Sequence, residues 1–161
     1  MNRNYFAFIL IEFIPFVWLI VKLRPVTMRD WGDLIGRGDI DELVCDMLRS
    51  KLFKMYARRD LRRRNHMAAL IRATPLDGLR FTLSQVLAKR KSPFRLTGVL
   101  KSIQVPTLVM AGQLDYVCSK AARLLAQTIP NATLKFIDNS GHMAPLEQPA
   151  AFNTALLEFL S

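Results

Sequence analysis

Two residues near the C-terminus carry side chains that could move a proton together. Asp115 closes a Gly-x-x-Asp turn that begins at Gly112, and His142 directly follows Gly141. A carboxylate beside an imidazole does two things: it holds the ring in one tautomer, and it stabilises the imidazolium when the ring takes up a proton. Alone, Asp115 reads as a turn residue and His142 as a loop residue. Their significance depends on what delivers them.

The surrounding elements deliver both to one place. Pro106 precedes an apolar run, Thr107 to Ala111, that predicts a short strand ending at Gly112. Ser119 to Ile129 has the spacing of a helix, stopped by Pro130-Asn131, and Ala132 to Ile137 alternates as a second strand. Asp138 to Gly141 reads as a loop, and Pro149 to Leu160 as a closing helix with Phe152, Leu156, Leu157 and Leu160 on its apolar face. Strand, crossover helix and strand imply a parallel pair. Parallel strands finish at the same sheet edge, so Asp115 and His142, each a few residues past a strand, are expected in one crevice. Gly141 permits a tight backbone path to it.

These residues resemble the C-terminal region of α/β-fold hydrolases. The similarity lies in VPTLVMAGQLD (residues 105–115), IPNATLKFIDNSGHMAPLEQP (129–149) and AFNTALLEFL (151–160). By that resemblance Asp115 is the acid and His142 the base of a catalytic triad, and Glu147 with Pro149 matches a recurrent E-x-P that supports the histidine loop. The stretch before it, including ATPLDGL (73–79) and the run up to LKSI (100–103), is similar to the lid and linker of the esterase and lactonase branch, 3-oxoadipate enol-lactonases among them. The resemblance implies hydrolysis of a small carboxyl ester or lactone, with no metal or organic cofactor.

The nucleophile of that family stands on a strand–turn–helix elbow, G-x-S-x-G. No serine here has Gly at both −2 and +2, and Ser140 belongs to the histidine loop. No HG-type oxyanion turn is present either. The expectation is a partial α/β-hydrolase fold. It would consist of C-terminal parallel strands with crossover helices and a helical lid segment, truncated and inactive alone. A missing N-terminal half or a second copy would cover its sheet edge.

Between residues 30 and 99 the pattern is helical. Asp39 and Glu42 resemble a capping box, followed by Leu43, Val44, Met47, Leu48, Leu52, Met55 and Tyr56 on one face. A second helix is predicted over Asn65 to Arg72 and a third over Leu79 to Arg90, with Pro75 to Gly78 as the turn between them. His66, in the second, reads as a surface or satisfied histidine. Basic residues crowd Arg49 to Arg64, against one acid, Asp60. Without zinc-finger spacing, an RNP-like pattern or a phosphate loop they read as a solvated face, and nucleic acid is not an expected partner. Cys45 and Cys118 lack CxxC spacing, so they read as small buried hydrophobes in a reducing compartment.

The apolar run of residues 5–23 leaves three readings open: a membrane anchor, a buried strand such as 16–23, or a remnant at a truncation point. Its length approaches a bilayer span, but Glu12 and Pro15 oppose one. Half of the 161 residues are hydrophobic (51%) and the net charge is +10, which fits a folded domain and permits loose attraction to anionic surfaces. Three segments follow: 1–29 apolar, 30–99 a helical lid region, and 100–161 the α/β segment. The expected location is cytoplasmic, with membrane association through residues 5–23 as the alternative: a non-catalytic module that binds a membrane or a partner on a hydrolase-derived scaffold.

Overall fold

A computed structural model describes residues 7–10, 25–89, 91–116 and 118–161. The chain divides into two compact units, one formed by Met1–Trp18 with Lys91–Ser161 and the other by Leu19–Arg90. Strand β1 (Ala7–Leu10) belongs to the first of these.

The helical unit follows β1 in sequence. It comprises α1 (Pro25–Arg37), α2 (Ile40–Arg49), α3 (Lys54–Ala57), α4 (Leu61–Ala73) and α5 (Leu76–Phe81). Helix α5 runs on as a π turn, Thr82–Val86, and a 3-10 turn, Leu87–Lys89. Helix α1 crosses the expected boundary between residues 29 and 30. Pro25 opens it, where a missing N–H costs nothing, and Gly38 at φ 80 closes it. The Asp39 N–H reaches the Leu34 carbonyl (2.9 Å) and the Gly38 N–H reaches that of Ile35 (3.1 Å), a Schellman closure. Met28, Trp31, Leu34 and Ile35 bury the inner face of α1, and the Trp31 indole N–H donates to Asp46.

That closure overturns the capping box expected at Asp39. The turn leaves Asp39 at φ −81, ψ 59, outside the extended conformation a cap requires, and its carboxylate accepts from Arg37 Nε instead (3.2 Å). The working cap is Asp60, at φ −162, ψ 167, whose carboxylate accepts from the Arg63 N–H (2.7 Å). Helix α4 therefore starts at Leu61 rather than Asn65, although Arg62, Arg63 and Arg64 load its first turn with charge that opposes the helix dipole. The break expected at Pro75 to Gly78 is confined to Thr74 and Pro75. Pro75 is the N-cap of α5, and the helix begins at Leu76. The π turn then adds a residue to one turn, so Leu83 and Leu87 stay buried while Val86 rotates outward. Helix α2 ends at Arg49, and Leu52 and Tyr56 keep their core positions after a turn.

In the other unit a 3-10 turn, Pro93–Arg95, leads to α6 (Thr97–Lys101), β2 (Thr107–Gly112), α7 (Ser119–Thr128), β3 (Ala132–Ile137), α8 (Ala144–Glu147) and α9 (Pro149–Leu160). The three strands form one parallel sheet in the order β1-β2-β3, with Thr107 opposite Ala7 and Ala132, and Gly112 opposite Ile137. All six residues of β2 are buried, because alternate side chains feed two cores. Val109 and Ala111 pack with Ala122, Leu125 and Ile129 of the α7 region, whereas Leu108 and Met110 pack with Ala144, Phe152 and Ala155. Strand β3 and helix α9 match the sequence expectation. On α9, Phe152 is buried but Leu157 and Leu160 are exposed.

Residues 7–10 of the apolar N-terminal run are strand. The rest of 5–23, including the strand expected at 16–23, lies outside the described residues. Among those described, no helix is long and apolar enough to cross a membrane.

The two aspartates predict different mutational costs. Asp60→Ala should lower stability by about 1 kcal/mol through loss of a cap. Asp39→Ala, which removes only an exposed ion pair, should cost no more than about 0.5 kcal/mol. Urea denaturation of the two variants checks this, and equal losses would contradict the assignment.

Candidate active site

Strands β2 and β3 end side by side, and the two loops that follow are stitched together. The Gln113 N–H donates to the Ile137 carbonyl (2.9 Å) and the Leu114 N–H to the Ser140 carbonyl (2.8 Å). Gly112 makes the approach possible. A Cβ at that position would lie 2.0 Å from the Gly141 carbonyl oxygen and 2.5 Å from that of Ser140. Asn139 takes the left-handed conformation the second loop needs (φ 53), a region that asparagine tolerates better than most residues.

These loops bring Asp115 and His142 into direct contact. His142 Nδ1 lies 2.8 Å from Asp115 Oδ2, and both side chains are buried. The other carboxylate oxygen, Oδ1, accepts from the Cys118 backbone N–H (3.1 Å) at the start of α7. The Asp115 carbonyl accepts from the N–H groups of Cys118 and Ser119 (3.1 and 3.0 Å), so the turn locks into the helix that follows.

Electrostatics decide the state of Asp115. Burial pushes its carboxyl up, but the hydrogen bond and charge of His142, with the bonds from Cys118, outweigh that and hold it below the ordinary carboxylate value of 3.8. The acid is therefore ionised at neutral pH, the form that can orient an imidazole through Nδ1. Glu147 plays the supporting part the E-x-P resemblance implied. Its buried carboxylate accepts from the N–H groups of Gly141 (2.9 Å) and Met143 (3.2 Å), the residues on either side of His142. Ser140 Oγ donates to the Ile137 carbonyl (2.9 Å) and so belongs to the loop's own scaffold.

One residue of the site escaped the sequence reading. Cys118 is buried as expected, but its Sγ sits 3.5 Å from His142 Nδ1, against the Asp–His pair. Among the described residues, Asp115, Cys118 and His142 form a group whose potential metal-ligand atoms lie within 4.8 Å of one another. The other histidine, His66, is apart from the pair in sequence and chemistry, with Nδ1 at 2.9 Å from the Tyr56 hydroxyl.

No family model matches the chain. Protein ABHD14A of Rattus norvegicus is 33% identical over 60 residues, which are 37% of this chain and 25% of that protein. MenH from S. aureus superimposes with a TM-score of 0.76 at 24% identity, over 85% of this chain and 51% of MenH. A thermophilic esterase from Thermogutta terrifontis superimposes with a TM-score of 0.71 at 23% identity, over 84% of this chain and 49% of the esterase. The chain thus spans about a quarter of the curated relative and about half of each solved structure.

Two measurements test the construction of the site. Gly112→Ala should cost about 3 kcal/mol, the upper range for overpacking, because the obstructing atoms are backbone. Gly98→Ala, where a Cβ meets nothing within 4 Å, should change stability by no more than about 0.5 kcal/mol. Similar melting temperatures for the two variants would remove the close-approach argument. The second test follows from the depressed Asp115 carboxyl. A group whose folded pKa is lowered stabilises the fold fully above its unfolded value, and that contribution disappears as pH falls through the folded one. Asp115→Asn should therefore be less stable than the parent chain at pH 6, with the gap closing as pH drops below the ordinary carboxylate range. A gap independent of pH would refute it.

Proposed function

We propose, from the chain's membership of the α/β-hydrolase fold family, that Asp115 and His142 are the acid and base of a serine-type hydrolase acting on carboxyl esters or lactones. The observation that carries this reading is the buried 2.8 Å contact between His142 Nδ1 and Asp115 Oδ2 at the ends of adjacent parallel strands. With Nδ1 committed to the carboxylate, the imidazole works through Nε2. In a complete site a serine attacks the carbonyl carbon as Nε2 accepts the hydroxyl proton. The imidazolium, stabilised by Asp115, then protonates the leaving alkoxide, and water repeats the sequence on the acyl-enzyme. The ester and lactone classes come from the resemblance of residues 73–79 and 100–103 to the esterase and lactonase branch, and from the esterase among the structural neighbours.

The nucleophile for that chemistry is not among these 161 residues, for no G-x-S-x-G elbow occurs in them. On this reading the chain taken alone is an inactive portion of such an enzyme, carrying the acid and base without a nucleophile elbow.

The two halves of the proposal separate experimentally. The purified 161-residue chain should remain unlabelled by a fluorophosphonate probe and show no His142-dependent hydrolysis of short-chain aryl esters; turnover abolished by His142→Ala would overturn the claim of inactivity. Imidazole nitrogen NMR should find the His142 proton on Nδ1 in the parent chain and a shifted tautomer balance in Asp115→Asn. An identical spectrum in both would show that Asp115 does not orient the ring.

A further inference from the structure

The Cys118 sulfur exchanges no proton in the acid–base reading, yet it lies beside the pair. We propose that Asp115, Cys118 and His142 form a binding site for one divalent zinc ion, using a carboxylate oxygen, the Cys118 thiolate and His142 Nδ1. The ligands come from three short segments: the turn after β2, the N-terminal edge of α7 and the loop after β3. All three side chains are buried, and one donor atom from each lies within 4.8 Å of the others.

The donor set and its spacing suit zinc. Imidazole, thiolate and carboxylate are its usual protein ligands, at about 2.0–2.1, 2.3 and 2.0–2.2 Å respectively. Tetrahedral angles at those lengths place nitrogen and sulfur about 3.6 Å apart, and nitrogen and oxygen about 3.4 Å apart. The Sγ–Nδ1 separation is already 3.5 Å, whereas Nδ1–Oδ2 at 2.8 Å has to open by roughly half an ångström. Replacing a hydrogen bond with a shared metal does that. Three protein ligands leave the fourth tetrahedral position open.

Charge favours occupation. The Asp115 carboxyl, the Cys118 thiol and the His142 ring are all buried. Zinc binding releases the thiol proton to solvent, and the Nδ1 proton of His142 moves to Nε2. The divalent ion then faces one carboxylate, one thiolate and a neutral imidazole, so the buried cluster is electrically neutral. No electron is transferred and no other reactant is needed. Binding depends on this geometry alone. Its consequence for activity rests on the hydrolase reading: an imidazole metallated at Nδ1 and protonated at Nε2 cannot accept a proton from a serine. Zinc and acid–base function are then mutually exclusive at His142.

Cobalt(II), a spectroscopic substitute for zinc, tests the site in the full chain after chelator treatment. A thiolate-to-cobalt charge-transfer band should saturate at one equivalent and be abolished by zinc. Cys118→Ser keeps a hydrogen-bonding group of similar size but removes the soft ligand. It should lose the band and weaken zinc binding by at least about a hundredfold, beyond what loss of an outer-shell partner costs. Cys45→Ser, which alters the other cysteine, should match the parent chain. Absence of the band at one equivalent, its survival in Cys118→Ser, or its loss in Cys45→Ser would overturn the proposal. Should Cys118→Ser fail to fold by circular dichroism, X-ray absorption of the zinc-loaded parent chain decides: one sulfur at about 2.3 Å supports the site, and a shell without sulfur refutes it. None of these readouts involves hydrolysis. A failed zinc site therefore leaves the tautomer result intact, and a failed acid–base assignment leaves metal binding measurable.

Discussion

The contact between two loops at Gly112 governs the geometry of the candidate site. Parallel pairing brings the ends of β2 and β3 to one edge, but pairing alone would leave their loops to diverge. The missing side chain at Gly112 lets the Ser140–Gly141 backbone pass where a methyl group would stand. Two backbone hydrogen bonds, from Gln113 and Leu114, then fasten the second loop to the first. Once that contact exists, the separation of Asp115 and His142 is a matter of short, tethered segments. The apolar packing on both faces of β2 supplies the rigidity behind it.

Burial raises the electrostatic stakes of the arrangement. Removing a carboxylate from water is unfavourable unless donors replace the lost hydration. Asp115 has the imidazole on one oxygen and the Cys118 N–H on the other, while Glu147 has the N–H groups of Gly141 and Met143. Each carboxylate thus solves its own solvation problem by gripping backbone or ring on a different segment. Asp115 ties the turn to α7, and Glu147 ties the histidine loop to α8. Polar satisfaction and positioning of the site are the same set of bonds.

How much of this the sequence disclosed depended on whether the determining contacts were local. Strand β3 and helix α9 were readable because alternation in one and a proline start in the other are properties of consecutive residues. The Asp115–His142 pair was readable because parallel topology converts two strand ends into neighbours. Helix α1 had equally local signals, Pro25 and Gly38, but the apolar run before it obscured where structure began. Asp39 failed as a cap for a reason one residue away: the left-handed Gly38 had already set the chain direction. The π turn at Thr82–Val86 left no compositional mark, since a Leu-rich helical face looks the same with or without an inserted residue. Cys118 was read by type, as a small hydrophobe, and nothing in its own neighbourhood in sequence announces a histidine packed against its sulfur.

The pair's geometry does not need a nucleophile in order to exist. The described bonds at Gln113, Leu114, Asp115, Cys118, His142 and Glu147 all arise within the segment that follows residue 91. The same bonds satisfy buried backbone groups and hold β2, α7 and β3 together, so they stabilise the fold whether or not chemistry occurs. A chain without a G-x-S-x-G elbow can therefore hold Asp115 and His142 in contact for structural reasons alone. It follows that the ordered pair is a product of the fold, while any catalysis depends on whether a hydroxyl is brought within reach of the imidazole.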